Sequence, residues 1–93
     1  MPVNMSANCV KMVRHLEQNN TGKMNKDGEL IVNIKDIGLA IMSFAGQSQI
    51  TRDRYFQLLK QLKFIEQVPK SSGDFRINVQ KAMDYSYNVL GKI

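Results

Sequence analysis

From Thr51 to Lys63 the chain reads T-R-D-R-Y-F-Q-L-L-K-Q-L-K, which sets Arg52, Arg54, Lys60 and Lys63 against a single acid, Asp53. An arginine can offer two parallel donors to guanine O6 and N7 in a major groove. Arg52 and Arg54, in the N-terminal half of a predicted helix, are therefore the candidates for reading a base. Gln49 and Thr51 can bond a phosphate or a base edge, while Lys60 and Lys63, further along, suit phosphate. A second set, Lys70, Ser71, Ser72 and Arg76, surrounds a predicted turn at Gly73, where backbone N–H groups can also meet a phosphate. The plain alternative is a solvated helix face and an ordinary hairpin turn.

Other chemistries find little support. His15 stands alone beside Arg14, with no second metal ligand at a suitable spacing. Cys9 is the only cysteine, so no intramolecular disulfide can form, and no nearby base nominates it as a nucleophile. Its place on an apolar stripe makes it a small core residue. Asp27-Gly28-Glu29 lacks the alternating acids of a calcium loop, and Lys23-Met24-Asn25-Lys26 lacks the glycines of a phosphate loop. The expectation is a protein that is not an enzyme, with no cofactor, no metal and no small-molecule substrate.

Thirteen basic residues against eight acidic ones give a net charge of +5, which favours an anionic partner, nucleic acid first. At 93 residues the chain suits one domain with one core. No apolar run reaches the ~20 residues of a membrane span, and the N-terminus lacks the pattern of a signal peptide. A reduced, cytoplasmic setting is expected.

Several elements must position these groups. Met5, Cys9, Met12, Val13 and Leu16 form an apolar stripe that predicts a first helix over Ser6–Gln18, capped by Ser6 or Asn4. Asn, Gly and Asp then break the pattern, and Glu29–Ile34 reads as a strand. Asn33 with Asp36 resembles a capping box opening a second helix, whose buried stripe is Ile37, Ala40, Ile41 and Phe44. Gly38 inside that helix costs roughly 1 kcal/mol against Ala. Thr51 is the expected cap of a third helix, with Tyr55, Leu58, Leu59 and Leu62 facing inward. Phe64–Val68 and Phe75–Val79 read as strands about a turn at Pro69–Asp74. Val79, Ala82, Met83, Tyr87 and Leu90 predict a closing helix from about Asn78 to Leu90.

The run I-T-R-D-R-Y-F-Q-L-L-K-Q-L-K-F-I-E-Q resembles the third helix and first wing strand of winged helix-turn-helix proteins. The matching positions are the cap Thr51, the inward Tyr55, Leu58 and Leu62, and the strand start Ile65 and Glu66. Many family members carry a Gly just before that strand, where this chain has Lys63-Phe64. The resemblance covers about Asn33–Val79. It implies an α+β fold in which residues 1–93 form a single winged-helix domain. That domain would have a three-helix core, a small antiparallel β-sheet with its wing, and a C-terminal helix. More narrowly, the chain looks like the small winged-helix proteins of plasmids, phages and bacterial mobile elements. These act in replication initiation, as repressors, or as accessory partners of replication enzymes. The implied function is contact with duplex DNA through the third helix and wing. The alternative is an adaptor for a replication enzyme such as a primase, polymerase or helicase, with little DNA affinity of its own.

The apolar surplus motivates that alternative. Leu39 and Met42 share a second face of their helix, Phe56 lies at the edge of the third-helix stripe, and Tyr85 and Val89 fall off the main stripe of the last helix. These residues either serve a core that buries helices on several sides or form an exposed patch. Because winged-helix proteins often dimerise through terminal helices, the resemblance makes Tyr85, Val89 and Ile93 candidates for a homodimer contact.

Overall fold

The computed structural model describes residues 2–20, 24–25 and 29–89, with side chains from Met5 onward. Four helices and three strands follow in the order α1 (Pro2–Asn19), β1 (Leu30–Asn33), α2 (Ile34–Ala45), α3 (Gln49–Gln61), β2 (Ile65–Gln67), β3 (Asp74–Ile77) and α4 (Val79–Asn88). The strands form one antiparallel sheet in the order β1-β3-β2, with Leu30 and Ile65 both opposite Ile77. β2 and β3 make the wing hairpin, and α1 packs against α2, α3 and α4. This is the α+β, winged-helix-like arrangement expected from the order of elements.

Local chemistry sets most of the boundaries. The Asn33 side chain accepts the Lys35 N–H at 2.9 Å, and the Asp36 carboxylate accepts the Asn33 N–H at 3.1 Å. This reciprocal cap turns β1 directly into α2. Gly46, at φ 89°, ends α2 in a backbone conformation that a side chain would strain. Two expected caps are corrected. Helix α1 begins at Pro2, a favoured first helical residue, so Ser6 and Asn4 lie inside the helix. Helix α3 is capped by Ser48, whose hydroxyl accepts the Thr51 N–H at 3.3 Å. Thr51 is therefore the third residue of the helix, not its cap. Either hydroxyl can do the work; the turn after Gly46 selects the earlier one.

The core joins Met12, Val13 and Leu16 of α1, Ile37 and Ile41 of α2 and Leu59 of α3 with Val32, Phe64 and Ile65 of the sheet side, all essentially free of solvent. Tyr55 is buried as expected, and its hydroxyl accepts a 3.0 Å bond from the Asn8 amide of α1. Two apolar stripes shift. Phe44 ends α2 with 39% of its surface exposed and meets the His15 ring edge-on at 5.6 Å. On α4 the buried face is rotated from the one the apolar residues suggest. Ala82 and Ser86 are fully buried, Tyr85 packs on the core with its ring 5.5 Å from Phe64, and Tyr87 is 65% exposed. A serine at the centre of that face hides it from any count of apolar residues. Leu90 and Ile93 lie outside the described residues.

The step from α3 to β2 explains how a lysine occupies the usual glycine position. Phe64 N–H donates to Leu59 C=O at 3.0 Å, and Lys63 N–H donates to Lys60 C=O at 3.0 Å. These are the two bonds of a Schellman cap, with Lys63 left-handed at φ 66° and buried Leu59 and Phe64 as its hydrophobic contact. The turn holds with a lysine at its left-handed position because Leu59 and Phe64 are locked in the core on either side.

Candidate nucleic-acid interface

Helix α3 turns Tyr55 and Leu59 inward and leaves Gln49, Ile50, Asp53, Arg54, Gln57, Lys60 and Gln61 exposed. Ile50, Asp53 and Gln57, spaced three and four apart, form its outermost ridge. At about 100° per residue, Arg52 and Arg54 stand about 200° apart around the axis. They therefore flank the ridge on opposite sides instead of forming one pair of readers.

Arg52 folds back toward α2. It donates to Met42 Sδ at 3.5 Å and to Gln49 Oε1, while the Gln49 amide nitrogen donates to Asp53 Oδ1 at 3.0 Å. Gln49 and Arg52 thus satisfy one another on the α2 side of the helix. Arg54 lies on the other flank, beside Met5, Ser6 and Leu58, in a shallow groove between α1 and α3. Thr51 is half-buried. Lys60 lies over the Phe56 ring, 5.4 Å from its centroid, which is cation–π distance.

On the hairpin, Lys70 is exposed and left-handed at φ 68°, and Ser72 is exposed beside it. Ser71 works inside the turn: its hydroxyl accepts the Asp74 N–H at 3.2 Å and its carbonyl accepts from Gln67 at 2.9 Å. The carbonyl of Gly73 accepts the Ile34 N–H at 2.7 Å, tying the wing to the start of α2. Arg76 lies in the strand expected at Phe75–Val79, but its charge is already paired. It sits within the central strand and donates to Glu66 Oε1 at 3.0 Å and Glu29 Oε2 at 3.1 Å. The hydrogen bonds to Glu66 and Glu29 push its pKa upward, so it stays charged, but two carboxylates answer that charge. Among the described residues, Arg54, Lys60, Lys63 and Lys70 form no ion pair.

The expected protein-contact residues separate into two groups. Leu39, Met42 and Phe56 line one groove between α2 and α3, together with Ile34, Lys35 and Arg52. Tyr85 belongs to the margin of the core, whereas Val89 is 61% exposed at the end of α4. Sequence reasoning missed Ile50, the most exposed large apolar residue among those described, at 67%. Its spacing of seven from Gln57 was the available signal.

The described residues contain no group of three or more His, Cys, Asp or Glu placed to hold a metal ion, and none of their helices is long and apolar enough to cross a membrane. Cys9 is fully buried, and burial pushes its thiol up to about 12. A thiol held neutral in this way is a packing group, not a nucleophile. No family model, curated protein or solved structure matches the chain.

Proposed function

We propose that this chain is a winged-helix module that binds duplex DNA, with the outer ridge of α3 in the major groove and the wing on the flanking backbone. One observation carries the reading. Among the described residues no element covers the outward side of α3, and the cations Arg54, Lys60, Lys63 and Lys70 have no acidic partner. In this docking Arg54 and Gln57 meet base edges, and the three lysines meet phosphates. Control of replication or transcription in a phage or bacterial mobile element is the role such a module suits. Fluorescence anisotropy of a labelled duplex, titrated with salt, tests it. Each phosphate-contacting lysine changed to Ala should flatten the log–log salt slope by about 0.9. Unchanged slopes in Lys60→Ala, Lys63→Ala and Lys70→Ala would refute the docking.

A second reading is an adaptor that binds a replication enzyme. The groove that gathers Leu39, Met42 and Phe56 favours it. Apolar side chains collected beside a helix flank give phosphates nothing to bond, but they suit a protein segment.

A further inference from the structure

Gly38 has no role that the fold itself requires. A Cβ built on it meets only Arg52 Cδ, at 3.8 Å, an ordinary contact, and its backbone is not left-handed. Alanine is the better helix former at such an interior position. What the missing side chain does is keep open the floor of the α2–α3 groove, a space of ≈ 640 Å³. Met42 and Phe56 line this groove with Ile34, and Leu39 stands on its margin with 61% of its surface exposed.

The charges around the groove indicate what it would hold. Among the described residues the Arg52 guanidinium bonds neutral acceptors, the Met42 thioether and the Gln49 amide. Lys35 is exposed on the same groove and forms no ion pair among the described residues. The one carboxylate lining it, Asp53, is engaged by Gln49. Arg52 and Lys35 thus flank an apolar floor between α2 and α3, and together they outweigh the single carboxylate of Asp53 on its rim.

We propose that this groove docks an acidic amphipathic helix of a partner protein, with apolar side chains at i, i+3/i+4 and i+7 over Gly38 and carboxylates against Arg52 and Lys35. The proposal rests on the adaptor reading and adds the chemistry of the partner.

The test is a phage-displayed library of random peptides of about 16 residues, four to five helical turns. It is selected on the full chain, with Gly38→Leu as counter-target. The expected winners pair apolar residues three or four apart with Asp or Glu within a turn. A labelled winner should bind Gly38→Leu and Arg52→Glu at least ~10-fold more weakly. Its Glu→Lys version should recover binding to Arg52→Glu. Gly38→Ala, whose Cβ meets only ordinary contact, should raise the melting temperature by a few degrees while weakening the peptide. Winners that are neutral or basic, or indifferent to Arg52→Glu, would overturn the acidic chemistry but leave the adaptor reading standing. No enrichment over Gly38→Leu would overturn both. Displacement of the peptide by a DNA duplex from wild type and Gly38→Ala alike would assign the groove to nucleic acid and overturn the proposal.

Discussion

Replacing Lys63 by glycine tests the turn that joins the candidate recognition helix to the wing. Lys63 is left-handed at φ 66°, held there by its own N–H bond to Lys60 and by the Phe64 N–H bond to Leu59. A left-handed conformation costs an L-residue roughly 1–2 kcal/mol, which glycine avoids. Glycine returns about 0.5–1 kcal/mol of this through the greater freedom of the unfolded chain. The expected net gain is about 0.5–1 kcal/mol, or about 2–8 °C in melting temperature for a domain of this size. Lys63→Ala removes the same charge but keeps the side-chain strain, so it isolates the backbone effect. The chain has no tryptophan, so urea denaturation is best followed by far-UV circular dichroism. Lys63→Gly should have the higher midpoint at an unchanged slope. Both variants should lose DNA affinity equally if Lys63 contacts phosphate. A midpoint for Lys63→Gly at or below that of Lys63→Ala would refute the account of the turn.

Three further outcomes follow from other sites. The Ser86 hydroxyl is buried with no hydrogen-bond partner among the described residues, so Ser86→Ala should stabilise the protein by about 1 kcal/mol in the same assay, and a loss of stability would reveal a partner. Cys9 has its thiol raised from 9.0 to about 12, so the unfolded chain releases that proton first. The stability linked to Cys9 is then complete below pH 9 and falls by about 1.4 kcal/mol per pH unit as the pH rises toward 12. Urea midpoints at stepped pH should show this fall in wild type relative to Cys9→Ala; parallel curves would contradict it. Arg76→Gln should leave the salt slope of DNA binding unchanged, because Glu29 and Glu66 already hold that charge, and should alter stability little, since an exposed ion pair contributes little. A slope flattened as much as by Lys70→Ala would return Arg76 to the interface.

Much of the architecture is legible along the chain because its signals are local. The Asn33–Asp36 cap, the inward Tyr55 and Leu59, and the change of period after Leu62 all act within a few residues. Together they predict the β1–α2 junction, the buried side of α3 and the start of β2. The start of α3 is ambiguous along the chain because Ser48 and Thr51 are both competent caps three residues apart. The buried face of α4 is hidden in the sequence because Ser86 is polar, and only the closeness of α1 puts it in the core.

The candidate site was legible in kind but not in arrangement. Composition identifies a basic third helix and turn. It does not reveal that Arg76 meets two carboxylates, since Glu29 lies 47 residues away in sequence and is brought near only by the sheet. Nor does it reveal that Arg52 turns toward Met42, or that Leu39, Met42 and Phe56 share one groove with Gly38.

Element order, the Asn33–Asp36 cap and the positive charge are legible in the chain, because they depend on contacts a turn or two apart and on sums. Tertiary structure alone decided which cations remain unpaired, which apolar residues remain outside and how a lysine can hold the glycine position before β2. Those outcomes depend on groups distant in the chain meeting in space, where a carboxylate cancels a guanidinium and two locked core side chains hold a left-handed backbone between them.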